Sequence, residues 1–399
     1  TTGDYTLKET VAPKGYECVE TEISFHVEID EDGNATVTTK EVRENGKAVN
    51  EVDEETGALI LKNDTYKGPE VEKYVNKDVT YDFDNFDQVF EYEVMAYVPY
   101  DATKATITDD LVDSLEFVNG GNVKVYDMGT ENNHKVNGTV AANGTLIEGV
   151  NPSVEGKHLE VVMNEEQVSP YRKHWIKVTF DARITEDARE AVMAKLAEKA
   201  ENGTAATAAN QWENIDDNLR VLTDTEHDGV PNKANYAWET SQNGNSEMET
   251  NTVTVEPKTV ELKIKKSWKD RVFPTDTKVT FAVYQHKDGQ SEKIDEVVLD
   301  AEHDSKTITL KKLEGVTYSA REIKVTKNGK DSVTAESGNL VIGAINYIAT
   351  IVKDVVAGES DGEHETSNEL KVEVKINKTD LGGEEIEGAT IVVYDSEGK

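Results

Sequence analysis

The sequence contains a single cysteine, Cys18, among 399 residues, so no disulfide can form within the chain. A secreted protein of this length often carries disulfides, and this one would need another covalent crosslink or none. Positive charge is also scarce: 43 Lys and Arg stand against 79 Asp and Glu, a net charge of −36. Nucleic acids and anionic membrane surfaces repel such a chain, so neither is expected as a partner. No apolar run reaches the roughly 20 residues of a membrane-spanning helix, so no membrane insertion is expected in this segment.

Motifs of enzymes and metal sites are missing as well. The eight histidines lack ligand spacing and no glycine-rich phosphate loop is present, so no cofactor and no activity on an outside substrate are expected. Residues 30–41 partly fit a calcium loop, but Ala35 stands where that loop requires glycine, which favours a plain hairpin turn. Cys18 and His26 lack the third group of a thiol protease. The acidic stretch at 224–229 is interpreted as a solvated loop.

Alternating apolar and polar residues fill most of the chain, which predicts β-strands throughout. Gly68 with Pro69, and the EPK stretch at 256–258, break this pattern and mark boundaries. One helix is expected in the second segment, capped by Thr185 and running to about Gly203. The sequence therefore divides into segments 1–66, 67–256, 257–370 and 371–399. Such a division is expected, because a chain of this length is too long to form one hydrophobic core.

Polar residues occupy strand positions whose neighbours two residues away are apolar. Since such neighbours share a strand face, these polar residues are predicted to face the core. Lysines take this position near segment starts, in VEKYV, LKIKKSW and VEVKINK. Asparagines occupy inward-facing positions near segment ends. Acids occupy such positions between the lysine and the asparagine, except in YTLKE, where the acid lies near the beginning of its segment. The predicted inward residues are Lys73, Asp109 and Asn232; Lys266, Glu322 and Asn368; Glu9 and Asn63; and Lys378.

A buried lysine tends to lose its proton and a buried carboxyl tends to keep one, because burial disfavours charge. A neutral lysine amine is a nucleophile, and a nearby carboxylic acid can polarise an asparagine amide and carry the proton. The product is a Lys–Asn isopeptide bond with release of ammonia. The acids Glu9, Asp109 and Glu322 are thus predicted to assist self-made crosslinks.

Several stretches resemble known surface proteins of Gram-positive bacteria. YTLKETVAPKGY, IKKSWKD with YSAREI, and INKTDLGGEEIEGATIVVYDSEG resemble collagen-adhesin B-type repeats. PEVEKYV, ATITDDLVDSLEFV and VPNKANYAW resemble the isopeptide-forming middle domain of sortase-assembled pilins. The resemblance implies an all-β fold of tandem immunoglobulin-like sandwiches, end to end, with one helical insertion in the middle domain. It makes 1–66 the later part of a B-type domain, 67–256 the fimbrial isopeptide domain, 257–370 a B-type domain, and 371–399 the start of another.

The resemblance carries over by position. It implies the bonds Lys73–Asn232, assisted by Asp109, and Lys266–Asn368, assisted by Glu322. Asp110, Lys265 and Asn235 are the rival positions; the first two fail the strand-parity test, and the helical insertion leaves Asn235 open as an alternative to Asn232. Glu9 with Asn63 lacks its lysine, and Lys378 lacks its acid and asparagine. A Lys378–Asn63 bond between neighbouring copies is one expectation for these incomplete sets.

The predicted function is that of a stalk or pilus shaft on the cell wall surface, outside the cell. Its expected partners are other copies or pilin subunits in a fibre, with Lys62 as a candidate sortase-linked lysine. The alternative is an adhesin that binds a host protein or glycan through loops of the middle domain, where Trp212 is the aromatic candidate.

Overall fold

The computed structural model describes residues 1–132, 144–190, 229–269, 271–343 and 345–371. It also gives the backbone of two short strands within 133–143 and a few isolated positions from 378 onward. These residues form two compact units. The first holds the described residues up to 259 together with 311–314, and the second holds 260–310 and the described residues from 315.

Twenty-three strands belong to the first unit. They are β1 (Gly3–Leu7), β2 (Ile23–Ile29), β3 (Ala35–Thr39), β4 (Arg43–Glu44), β5 (Lys47–Ala48), β6 (Asn50–Val52), β7 (Leu59–Leu61), β8 (Val71–Val75), β9 (Thr80–Phe83), β10 (Phe90–Tyr97), β11 (Ala102–Asp110), β12 (Leu115–Phe117), β13 (Lys124–Gly129), β14 (Lys135–Val136), β15 (Thr139–Val140), β16 (Thr145–Leu146), β17 (Ser153–Glu155), β18 (His158–Met163), β19 (Trp175–Ile184), β20 (Val230–Asn232), β21 (Ala234–Thr240), β22 (Ser246–Glu249) and β23 (Val253–Pro257).

A six-stranded sheet and a five-stranded sheet enclose the main core of this unit. One has the order β16-β13-β19-β10-β8, with β12 also paired to β19, and the other has the order β17-β18-β11-β21-β22. A third sheet, β20-β23-β9, contains the parallel pair β23 and β9. Because alternate residues of each strand face inward, large apolar side chains such as Tyr92, Phe180 and Ile107 are buried between the sheets.

The N-terminal segment forms smaller sheets around its own apolar cluster. Strands β1, β2 and β3 pair in that order, and Val19, Ile23 and Val49 are buried nearby. The turn between β2 and β3 is the predicted hairpin, in which the Asp30 carboxylate accepts hydrogen bonds from Asn34. Tyr5 of the YTLKE stretch shares a strand face with Leu7, but the two differ in burial. Tyr5 is 40% exposed and stacks on Phe25, whereas Leu7 packs against the buried cluster.

Helical structure in the described residues is short. It comprises α1 (Glu165–Val168), with a capping box between Asn164 and Gln167, and the 3₁₀ turns Asn119–Asn122 and Ser169–Tyr171. Residues 186–190 begin the predicted helix. Thr185 caps it as expected, since its Oγ1 accepts a hydrogen bond from the Ala188 backbone at 3.2 Å. The rest of the predicted helix, 191–203, lies outside the described residues.

The second unit is a sandwich of nine strands. They are β24 (Thr259–Trp268), β25 (Thr277–Lys287), β26 (Gln290–Leu299), β27 (Ser305–Lys311), β28 (Thr317–Lys327), β29 (Lys330–Val333), β30 (Asn339–Ile342), β31 (Ile345–Val355) and β32 (Gly362–Leu370). One sheet has the order β27-β24-β32-β31-β30 and the other β26-β25-β28-β29. The first strand, β24, runs parallel to the last, β32, with Lys266 opposite Thr366 and Trp268 opposite Asn368.

The expected all-β class is confirmed, while the four-segment division of the chain stays a prediction. Among the described residues, no helix has the length and apolar character needed to cross a membrane.

Candidate functional site: two buried lysine–acid–asparagine clusters

The first cluster lies in the core of the first unit. Lys73 on β8 and Asp109 on β11 come from different sheets, and the Lys73 amine donates a short hydrogen bond to Asp109 Oδ2. Asn232 ends β20 and is also buried. Each of these side chains is at most 2% exposed, as the alternation of its strand predicts.

Burial controls the charge of the first pair. Desolvation lowers the pKa of Lys73, and the neighbouring Asp109 opposes this only in part. Desolvation likewise raises the pKa of Asp109, against the opposing effects of Lys73 and the Asn232 amide. Both shifts favour a neutral amine beside a neutral carboxylic acid, because an apolar core penalises each charged form. This is the protonation state that nucleophilic attack by lysine requires.

Aromatic rings surround the Lys73 amine. Its Nζ lies 5.2 Å from the centre of the Tyr92 ring and 5.3 Å from that of Phe180, and the two rings stack on each other. The Asn232 amide is buried beside the same pair and acts on the Asp109 carboxyl, whose pKa it lowers. The lysine, the acid and the asparagine therefore share one buried, largely apolar pocket of the core.

The second cluster has the same composition in the second unit. Lys266 on β24 donates to Glu322 Oε2 on β28 at 2.8 Å, and Asn368 Nδ2 on β32 lies 3.4 Å from Glu322 Oε1. All three residues are at most 3% exposed. Desolvation lowers the pKa of Lys266, although Glu322 opposes the shift. A buried indole, Trp268, lies 5.8 Å from the Lys266 amine and packs edge-on against two further rings, which keeps this end of the sandwich apolar.

Two threonines contact the second cluster, and sequence reasoning missed both. Thr334 Oγ1 donates to Glu322 Oε1 at 3.1 Å, and Thr366 Oγ1 donates to Oε2 at 3.0 Å. Thr366 precedes Asn368 by two residues, so the same alternation that identified Asn368 placed Thr366 on the buried face. Thr334 follows β29 and carries no comparable signal.

The rival positions all point away from the clusters. Asp110 is exposed and pairs with His158 at 2.7 Å. Lys265 pairs with Glu365 at 3.4 Å, and the Asn235 amide donates to Glu247 at 3.1 Å. Each rival is separated from its cluster residue by one or three positions. Because side chains alternate along a strand, an odd separation places the rival's side chain on the other strand face.

The third set is incomplete. Glu9 lies beyond the end of β1, where its Oε2 accepts hydrogen bonds from the Val19 backbone and from Asn63 Nδ2, both at 2.7 Å. Glu9 and Asn63 are only partly buried. Lys378 is exposed among the described residues, and most of the segment around it lies outside them, so its inward position stays a prediction. No hydrogen bond or ion pair within the described part of the chain brings a lysine to Glu9 and Asn63, and the Lys378–Asn63 bond stays a prediction.

Other candidates of the sequence occupy ordinary surroundings. Lys62 is half exposed and pairs with Glu51 at 2.7 Å. Cys18 Sγ contacts the Glu9 backbone oxygen, whereas His26 pairs with Asp4. No group of His, Cys, Asp or Glu in the described ranges could hold a metal ion. Trp212 and residues 224–228 lie outside the described residues.

Comparison with known proteins found one matching family and a similar bacterial protein. Residues 1–43 match the family described as SpaA, a prealbumin-like fold domain. Platelet adherence protein A of Streptococcus gordonii is 29% identical over 120 residues, which cover 30% of this chain. The chain spans only 3% of the length of that relative. These matches confirm the resemblance to pilin and adhesin domains.

Solved structures of pilins are similar at low identity. The major pilin subunit BcpA of Bacillus cereus is 14% identical with a TM-score of 0.35, covering 93% of this chain and 86% of the pilin. The full-length major pilin SpaD of Corynebacterium diphtheriae is 15% identical with a TM-score of 0.29, covering 92% of this chain and 76% of the pilin. These scores are too low to assign a function.

Proposed function

We propose that this chain is a structural part of a stalk or pilus shaft on a Gram-positive cell surface. Two self-formed isopeptide bonds, Lys73–Asn232 and Lys266–Asn368, stabilise it. One observation carries the proposal: each unit encloses a lysine with a lowered pKa, in contact with a buried acid and accompanied by a buried asparagine. Charged groups are rarely placed in a core without a role, because their desolvation is costly.

The chemistry follows from the protonation state in the first unit. The neutral Lys73 amine attacks the side-chain carbonyl carbon of Asn232 and forms a new C–N bond. Asp109, whose pKa burial raises, donates a proton to the developing oxyanion. The proton lost by the lysine nitrogen passes through the carboxyl group to the departing amide nitrogen. The original C–N bond breaks and ammonia leaves, and the oxygen returns its proton to Asp109 as the carbonyl re-forms. Atoms and charges therefore balance with no co-reactant.

The position of the second cluster suits a mechanical role. Lys266 lies on the first strand of its sandwich and Asn368 on the last, and these strands are parallel neighbours. A covalent bond between them would carry a pulling force directly from one strand to the other. The rest of the sandwich would then stay folded under load, since unfolding requires the two strands to separate.

The central test is the intact mass of the purified chain. Two bonds make the protein lighter than its sequence mass by two molecules of ammonia. Lys73→Ala and Lys266→Ala should each restore one, while Lys265→Ala, which alters the neighbouring exposed lysine, should restore none. A mass equal to the sequence mass would disprove the proposed crosslinks.

An adhesin is the second candidate, favoured by the name of the streptococcal relative. A host protein or glycan would then bind to loops of the middle segment, for which Trp212 is the sequence candidate. Retention of platelets on surfaces coated with this chain, and its loss in Trp212→Ala, would support this role.

Linkage of subunits by a sortase through the accessible Lys62, and attachment to the cell wall, are part of the proposed pilus-shaft function. Lys62→Ala would then prevent incorporation into covalent fibres.

A further inference from the structure

Thr366 is the residue of the second cluster that joins its lysine to its acid. Lys266 Nζ donates to Thr366 Oγ1 at 3.1 Å, and the same hydroxyl donates to Glu322 Oε2 at 3.0 Å. Lys266 also donates directly to Glu322 Oε2 at 2.8 Å. The three groups therefore form a closed triangle. All three residues are buried.

Strand pairing fixes this triangle. Thr366 stands opposite Lys266 in the parallel pairing of β24 and β32, so their side chains lie next to each other on one face. Asn368 lies two residues further along the same face. Glu322 reaches the pair from the other sheet, and Thr334 holds its second oxygen. The hydroxyl of Thr366 is thus set by the backbone rather than by a flexible side chain.

We propose that Thr366 is a positioning residue that directs the Lys266 amine at Asn368. A neutral amine has two N–H groups and one lone pair. The two contacts to Glu322 and Thr366 use both N–H groups, so the lone pair takes the remaining tetrahedral direction. With the hydroxyl in place, that direction is free for the carbonyl carbon of Asn368.

The same contacts organise the acid for proton transfer. Glu322 Oε2 accepts from Lys266 and Thr366, while Oε1 accepts from Thr334 and lies 3.4 Å from the Asn368 amide nitrogen, so one carboxyl group bridges the lysine and the asparagine. A half-turn of that amide brings its oxygen toward Oε1, from which it can accept the carboxyl proton as the new C–N bond forms. Oε2 takes the lysine proton and passes it to the departing nitrogen, ammonia leaves, and the oxygen returns its proton to the carboxyl as the carbonyl re-forms. Thr366 itself keeps its proton and forms no covalent bond in the overall reaction.

The first cluster offers an internal control, because Asp109 receives no hydroxyl contact among the described residues. Thr366→Val removes the hydroxyl at nearly constant volume and should slow formation of the Lys266–Asn368 bond several-fold, up to about tenfold, which is the range that loss of a hydrogen bond between neutral groups produces. Thr366→Ser should restore the rate. The Lys73–Asn232 bond should form at the original rate in both variants.

The experiment follows crosslinking of the full chain after cell-free synthesis. Samples are stopped in denaturant at intervals and digested, and mass spectrometry quantifies the peptide that joins Lys266 to Asn368. Thr277→Val is the matched control, because it removes another buried hydroxyl of the same unit, one that contacts Asp276 instead. Thr366→Ala repeats the test if the valine disturbs folding.

The inference rests on the proposed function, and the wild-type chain separates the two. If wild type never forms the bond, the proposed crosslink is wrong and the role of Thr366 falls with it. If wild type crosslinks and Thr366→Val does so equally fast, only the role of Thr366 is overturned. A Thr366→Ser rate as slow as that of the valine variant also overturns it, because packing rather than the hydroxyl would then matter.

Discussion

Lys73 and Asp109 belong to different sheets of the first unit, yet their side chains form a hydrogen-bonded pair in the core between those sheets. The pair exists only when the two sheets have packed, because no strand pairing connects β8 to β11. Folding therefore precedes any reaction of the lysine. The cluster would react once in the life of each molecule, as soon as water has left the core.

The acids are predicted to be essential for bond formation but not for folding. In Asp109→Ala and in Glu322→Ala, the intact mass should fall short of the variant's own sequence mass by one ammonia instead of two, and the thermal midpoint should be lower. Asp110→Ala is the matched control, since that exposed carboxylate pairs with His158 on the opposite strand face. Bond formation that survives both acid substitutions would show that other groups carry the proton.

The asparagine of the first bond is predicted to be Asn232 rather than Asn235. Asn232→Ala should remove one bond, whereas Asn235→Ala should remove none, because its amide lies on the other face and contacts Glu247. By analogy with disulfides, closing a loop of roughly 160 residues stabilises by about 5 kcal/mol. Denaturant unfolding of the two variants, with their intact masses, measures both effects. The opposite pattern would assign the bond to Asn235.

The rate of the Lys73–Asn232 bond should depend on pH as a bell-shaped curve. At low pH the Lys73 amine gains a proton and ceases to be a nucleophile; its lowered pKa extends the reactive range downward. At high pH Asp109 ionises and can no longer donate; its raised pKa extends the range upward. Crosslinking of freshly synthesised chain in a series of buffers tests this. A rate that rises steadily into the alkaline range would exclude Asp109 as the acid.

Tyr92→Phe should stabilise the first unit. The Tyr92 hydroxyl is buried and lacks a partner within the described residues, so its removal should raise the free energy of unfolding by about 1 kcal/mol. Tyr236→Phe is the matched control and should lower the free energy of unfolding, because the buried Tyr236 hydroxyl donates a hydrogen bond to the Tyr97 backbone oxygen at 3.1 Å. Thermal unfolding measures both variants. A fall in stability for Tyr92→Phe, together with slower crosslinking, would give this hydroxyl a part in the reaction.

Local sequence was sufficient for the strand faces of both clusters. Alternation placed Lys73, Lys266 and Asn368 in the core, and turned Lys265 and Asp110 outward, because a strand reverses its side-chain direction at every residue. Alternation gives the direction of a side chain but not what covers it, since Tyr5 shares a strand face with the packed Leu7 and is nevertheless 40% exposed. Alternation likewise did not determine the burial of Lys378, which is exposed among the described residues.

The sequence by itself determined the all-β class, the hairpin at residues 30–34, the Thr185 cap and which residue types face inward. These depend on neighbours within a few positions, so they can be read along the chain. Only the tertiary structure decided which lysine meets which acid, that Thr334 and Thr366 hold Glu322, and that the rings of Tyr92 and Phe180 surround the Lys73 amine. Those contacts join strands far apart in sequence and across two sheets, and their geometry is set by sheet order and packing, which no local pattern encodes.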